Sequence, residues 1–141
     1  MTTVHGTTVA IDGAGVLLQG PSGCGKSDLA LRLIDGGAVL IADDRSELRC
    51  VGRRIVASAP GEIGGLLEVR GIGLIRVASE VEAALALAVD LGGVNERLPD
   101  RESVEFLGIA IPMLRLSAFE ASTPSKVRLA VRVAPTDIVR S

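Results

Sequence analysis

The sequence predicts a single α/β domain, residues 1–141, in which a mixed sheet carries few helices; three observations predict it. First, Gly20-Pro21-Ser22-Gly23-Cys24-Gly25-Lys26-Ser27 has two glycines separated by four residues and followed by a lysine and a hydroxyl, the pattern of a phosphate-binding loop. Second, its flanks suit it: Gly15 to Gln19 is an apolar run that reads as a buried strand, and Ser27 to Ile34 has the apolar spacing of a helix. Third, the remaining apolar residues come in short segments broken by glycine and charge, as strands joined by turns would.

Composition excludes several classes. At 141 residues there is room for one core. Mean hydropathy is high at +0.43, yet the longest apolar segment, Ala83 to Val89, is far too short for a bilayer span. Met1-Thr2-Thr3-Val4-His5 lacks the basic start and apolar core of a secretory signal, so a cytoplasmic location without membrane contact is expected. Cys24 within the loop and Cys50 in a strand-like segment read as reduced thiols. With a net charge of -2 and no stripe of Lys and Arg, nucleic acid is not an expected partner. The two phenylalanines are the sole aromatics, so a bound adenine is expected to rest on aliphatic and backbone groups without an aromatic stack, and base specificity to be loose.

In chain order, Val4 to Ile11 reads as a strand, Asp12 to Gly15 as its turn and Val16 to Gln19 as its hairpin partner. His5 is by default a surface residue. In the loop, the backbone N–H groups of the turn and of the helix N-terminus converge on an anion, Lys26 adds a point charge for the outer phosphates, and the Ser27 hydroxyl is placed to ligate magnesium. The helix from Lys26 to Asp35 stops at Gly36-Gly37. Ala38 to Ala42 is continuously apolar, as a central strand would be, and ends in Asp43-Asp44-Arg45.

An apolar strand ending in acid is the other half of a nucleoside triphosphate site. Two adjacent carboxylates exceed what magnesium needs, and both reach one pocket only where the strand ends. One is read as staying with the metal and the other as taking a proton from a nucleophile; the alternative is that one of them caps the turn. Glu47 to Val51 and Arg54 to Ser58 form a hairpin around Gly52-Arg53. Pro60 to Ile75 then packs glycines among apolar residues, with Glu68 and Arg70 on one face of an extended chain. They are either a surface ion pair on a bulged strand or a second metal ligand with a phosphate-binding arginine. Ser79 to Leu91 suits helix or buried strand, and Gly92 to Ser103 is a polar loop whose Glu96, Arg97, Asp100 and Arg101 read as solvated charges. Val104 to Ile111 alternates as a strand interrupted by Pro112, and Thr123-Pro124 opens a final helix, Ser125 to Val133, with strand as the alternative.

His5-Gly6, the loop, Leu40-Ile41-Ala42-Asp43-Asp44-Arg45 and Leu67-Glu68-Val69-Arg70-Gly71-Ile72-Gly73, in that order and spacing, resemble the catalytic domain of bacterial HPr kinase/phosphorylase. The resemblance implies an ATP-dependent serine kinase acting on HPr, the phosphocarrier of the sugar phosphotransferase system, and a phosphate-dependent reverse reaction releasing pyrophosphate. It also implies a fold related to phosphoenolpyruvate carboxykinase and a homo-oligomer, commonly a hexamer. By position Lys26 looks like the phosphate-binding lysine, Ser27 and Glu68 like magnesium ligands alongside Asp43, and Asp44 like the base that deprotonates the target serine. His5 is similar to the family's active-site histidine, and Arg97 in Glu96-Arg97-Leu98 to a catalytic arginine. Against longer members, the chain starts at the catalytic domain, stops at Ser141 before their C-terminal helix, and keeps the basic segment tied to the reverse reaction only as Ser122 to Lys126. Two other functions are consistent with the loop, an ATP-sensing module without transfer and a small-molecule kinase on the same fold.

Overall fold

The structure, a computed structural model, describes residues 1–61, 64–93 and 96–133; Glu62, Ile63, Val94, Asn95 and the end of the chain from Ala134 lie outside the described residues. In chain order it contains β1 (Thr2–His5), β2 (Thr7–Ile11), β3 (Ala14–Gln19), α1 (Lys26–Asp35), β4 (Val39–Ala42), β5 (Arg45–Val51) and β6 (Arg54–Ser58). It continues with β7 (Leu66–Val69), β8 (Gly73–Arg76), β9 (Glu82–Asp90), β10 (Glu102–Phe106), β11 (Ile109–Arg115) and α2 (Thr123–Arg132). The main sheet runs β1-β5-β6-β9-β3-β2-β4, with β11 on β9 and β10 on β11; β7 and β8 form a separate ribbon. Because β9 is parallel to β3 and β11 but antiparallel to β6, the sheet is mixed and the fold α/β.

Period-two alternation sorts the core into two clusters. Val9, Ile11, Val16, Leu18, Leu40 and Val89 face α1 and α2, meeting Leu29, Leu33 and Val127. The intervening Ala10, Leu17, Ile41 and Ala88 face the other way and meet Leu48, Ile55 and Ala57 of β5 and β6. The β1-β5-β6 wing thus folds over the face of β2-β3-β4 that α1 leaves free. Strands buried on both faces read as unbroken apolar runs, and each fully buried leucine among them contributes roughly 1.5–3 kcal/mol.

Several expectations need correction. Val4 to Ile11 is two strands: Gly6 separates β1, which pairs with β5, from β2, which pairs with β3 and β4. A Cβ on Gly6 would stand 2.9 Å from both Leu17 Cδ1 and the Leu18 carbonyl oxygen, so only glycine lets the chain pass between layers here. The apolar β4 ends the strand order rather than occupying its centre; its faces are covered by α1 and the folded-over wing, which is why it reads as central. The central strand is β9, where packing against three neighbours overrides the helix-forming Ala and Glu content of Ser79 to Leu91. Val104 to Ile111 is a hairpin turning at Leu107-Gly108, both at positive φ (50° and 82°), as in the Asp12-Gly13 turn. Pro112 sits within β11, one residue before its pairing with β9 begins at Met113, so its missing N–H removes no bond to β9. The last helix starts two residues early, with Ser122 as its N-cap and Pro124 in the first turn.

Candidate active site

Because β2 runs antiparallel to both β3 and β4, those two strands are parallel to each other. The end of β3, the start of β2 and the end of β4 therefore meet at one edge of the sheet. The first carries Gly20 to Ser27, the second Thr7, and the third Asp43 and Asp44. They border a cleft of about 380 Å³ lined by His5, Ser22, Gly23, Gly25, Lys26, Ser27, Asp28, Asp44, Glu68, Arg70 and Phe119.

Within the loop, the Cys24 N–H donates to the Pro21 carbonyl (3.1 Å). Gly25, the N-cap of α1, has φ 98°, and no side chain caps that end of the helix, so its first N–H groups are left to bind an anion. Lys26 is 8% exposed, and its ammonium donates to the carbonyls of Gly20 (2.7 Å) and Pro21 (3.2 Å), which holds it across the loop.

The chain turns between Ala42 and Arg45, and this turn separates the two carboxylates. Asp43 points toward the loop: its Oδ1 accepts from the hydroxyls of Ser27 and Thr7, both at 3.0 Å, and its Oδ2 from the Glu68 N–H at 3.1 Å. Asp44 sits in the left-handed region at φ 67°, with its N–H on Thr7 Oγ1 (3.1 Å) and its carbonyl on the Gly6 N–H (2.8 Å). Its carboxylate lines the cleft and lies 3.1 Å from His5 Nε2, a neighbour that the pairing of His5 with Arg45 across β1 and β5 brings in. Both members of this pair are well exposed, so it sets geometry more than stability.

Glu68 and Arg70 line the same cleft, and no ion pair joins them to each other among the described residues. The ion-pair alternative for them is therefore not realised. Ser27, Asp43, Asp44 and Glu68 make an oxygen-only donor set. No cage of three or more His, Cys, Asp or Glu stands ready among the described residues. Magnesium binds through one or two carboxylates while keeping water and phosphate oxygens, so the set suits that ion.

Of the residues singled out in the sequence, the structure brings His5, Lys26, Ser27, Asp43, Asp44 and Glu68 together with the loop. Arg97 is not among them: it lines a second cavity of about 530 Å³ bounded by β9, β11 and α2, which shares no lining residue with the cleft. Thr7 and Phe119 were not anticipated. Thr7 carries no motif, and its role follows only from the pairing of β2 with β4. Phe119 reaches the cleft through the turn before α2.

A family model described as HPr Serine kinase C-terminal domain matches residues 1–127. The chain is 39% identical over 129 residues to the HPr kinase/phosphorylase of Streptococcus uberis, an overlap of 82% of this chain and 42% of that one. A protein of the same name from Exiguobacterium is 39% identical over 130 residues with the same coverage. The chain thus spans 42% of the length of these relatives. The structure of the Hpr(Ser) kinase/phosphatase from Coxiella burnetii is similar at a TM-score of 0.80 and 26% identity, covering 94% of this chain and 89% of the other. No helix among the described residues is long and apolar enough to cross a membrane.

Proposed function

The chain belongs to the family of HPr serine kinase C-terminal domains, and on that premise we propose that it transfers the γ-phosphoryl group of ATP to a serine of HPr. One observation carries the reading: two adjacent carboxylates are divided between two tasks. Asp43 is committed to Ser27, Thr7 and Glu68, whereas Asp44 faces the cleft beside His5. A sensor of ATP needs only the first arrangement; a kinase needs both.

In the reaction, Asp44 accepts the proton of the serine hydroxyl as its oxygen attacks the γ-phosphorus. The serine O–P bond forms, the bond to the β,γ-bridging oxygen breaks, and ADP leaves with that electron pair. His5 orients the Asp44 carboxylate. The loop N–H groups, the α1 N-terminus and Lys26 hold the phosphate oxygens in line with the attacking hydroxyl. Ser27, with Asp43 and Glu68 as further oxygen donors, would hold a magnesium ion, which would supply neutralisation of charge on the β- and γ-phosphates. Arg70 adds a cation to the same wall of the cleft. Arg97, in the other cavity, is given no step. A cytoplasmic homo-oligomer belongs to the same reading, with the exposed Ile72, Leu74 and Val81 as apolar surface for a subunit contact.

The test is to incubate the purified protein with Mg-ATP and HPr from the same organism and weigh HPr by intact mass spectrometry. One added phosphoryl group on a serine is expected. A second arm, with phospho-HPr and inorganic phosphate in place of ATP, reads the reverse reaction by pyrophosphate release. Unmodified HPr beside intact ATP binding would overturn the protein-kinase reading, and the sensor and small-molecule kinase would replace it.

A further inference from the structure

The phosphate end of the cleft is accounted for above, but nothing yet holds the nucleotide base. Of the eleven described residues that line the cleft, Phe119 is the one with an apolar side chain. Its surroundings are those of a displayed ring. The flanking carbonyls of Ala118 and Glu120 both accept from the Arg32 guanidinium, which also bonds Asp28, so α1 grips the backbone on either side of Phe119. Ala118 is buried in the core at 1% exposure. Phe119 is 67% exposed, and its ring edge lies over Gly25, where a Cβ would meet Phe119 Cζ at 3.0 Å. An aromatic whose backbone is clamped and whose face is left to solvent, beside the loop that takes phosphates, loses little entropy when a flat ligand covers it.

We propose that Phe119 is the base platform of this cleft, with the purine ring of ATP stacked on its face; the inference rests on the nucleotide reading above. It reverses the expectation of a base held without an aromatic stack. A stacking contact reads no hydrogen-bonding edge, so ATP and GTP bind with similar affinity.

Isothermal titration of Mg-ATP and of Mg-tripolyphosphate, which has the phosphates and no base, separates the possibilities. Phe119→Ala is expected to weaken Mg-ATP binding about 5- to 150-fold and leave tripolyphosphate binding unchanged, while Phe119→Trp restores ATP. Phe119→Leu keeps apolar bulk without an aromatic face, so it should resemble the alanine variant for ATP, and it provides a readout if alanine disturbs folding. Unchanged ATP affinity would overturn the proposal, as would an equal loss for both ligands, which would make the ring a support for the loop. A raised KM for HPr with an unchanged KM for ATP would also overturn it and assign Phe119 to the protein acceptor. Wild-type protein that binds neither ligand would refute the nucleotide reading itself, and this inference with it; tripolyphosphate binding by wild type keeps the two failures apart.

Discussion

Replacing Thr7 with valine keeps the shape of a fully buried side chain and removes one hydroxyl on which both carboxylates depend. Thr7 Oγ1 donates to Asp43 Oδ1 at 3.0 Å and accepts from the Asp44 N–H at 3.1 Å. Leaving that N–H without a partner costs about 1–3 kcal/mol, and losing a bond to an ionised carboxylate about 1.5–3. Asp43 keeps its bonds to Ser27 and Glu68, and the new methyl returns about 0.8 kcal/mol. The net loss is then about 2–5 kcal/mol. With a urea slope of about 2 kcal/mol/M, the unfolding midpoint should fall by about 1–2.5 M. Function should suffer separately, because Asp44 is held at φ 67° partly by this hydroxyl. A non-glycine residue there stores about 1–2 kcal/mol, which relaxation of the turn would release by swinging the carboxylate away. Turnover on HPr should therefore drop by about tenfold or more, while the KM for ATP stays the same, since it is set by the loop. Thr7→Ser, which retains the hydroxyl, should lose about 1 kcal/mol of stability for its missing methyl and keep its turnover. A valine variant as stable and as active as the serine variant would refute the reasoning.

Three further outcomes are expected. Asp44→Asn should lower phosphoryl transfer by about 10²- to 10⁴-fold while titrations with Mg-ATP match wild type; retained transfer would pass the role of base to Asp43. Gly25→Ala must place a Cβ 2.7 Å from that of Ala118 at φ 98°. It should cost about 1–3 kcal/mol by thermal melting and weaken ATP binding through the displaced Phe119 turn. Leu17→Ala, at a site with 0% exposure between the two layers, should cost about 2–5 kcal/mol by urea titration; a loss under about 1 would mean that the layers repack freely.

Signals confined to a few neighbouring residues were legible in the sequence. The loop and its two flanks, the hairpins at Asp12-Gly13 and Gly52-Arg53, and the stop at Gly36-Gly37 each follow from local chemistry, and α1 runs from Lys26 to Asp35 as its spacing requires. What failed depended on partners distant in the chain. The two-sided burial of β4 looks the same at an edge under a folded-over wing as at a sheet centre. Leu107-Gly108 escaped notice because leucine rarely takes positive φ, and only pairing of the flanking strands forces it. The pairing of His5 with Asp44 needs the crossing at Gly6, and no composition signal marks Thr7 or the clamp that Arg32 places around Phe119. Arg97, similar by position to a catalytic arginine, lines the other cavity, in the segment leading into β10.

The crossing at Gly6 also bears on how the protein comes apart. Beneath the cleft, Thr8 Oγ1 and Ser46 Oγ lie 2.7 Å apart with both residues at 0% exposure, and Ser46 Oγ donates to the Gly6 carbonyl at 3.0 Å. These bonds join β2 to the wing that carries His5, directly under the turn that aims Asp44. His5, which orients the proton acceptor, and the phosphate loop thus belong to separate layers riveted at their common edge. Their alignment is therefore tied to the core and is lost when the core opens. Amide exchange at Gly6 and Ser46 should accordingly track global unfolding, and heat should end catalysis and structure together.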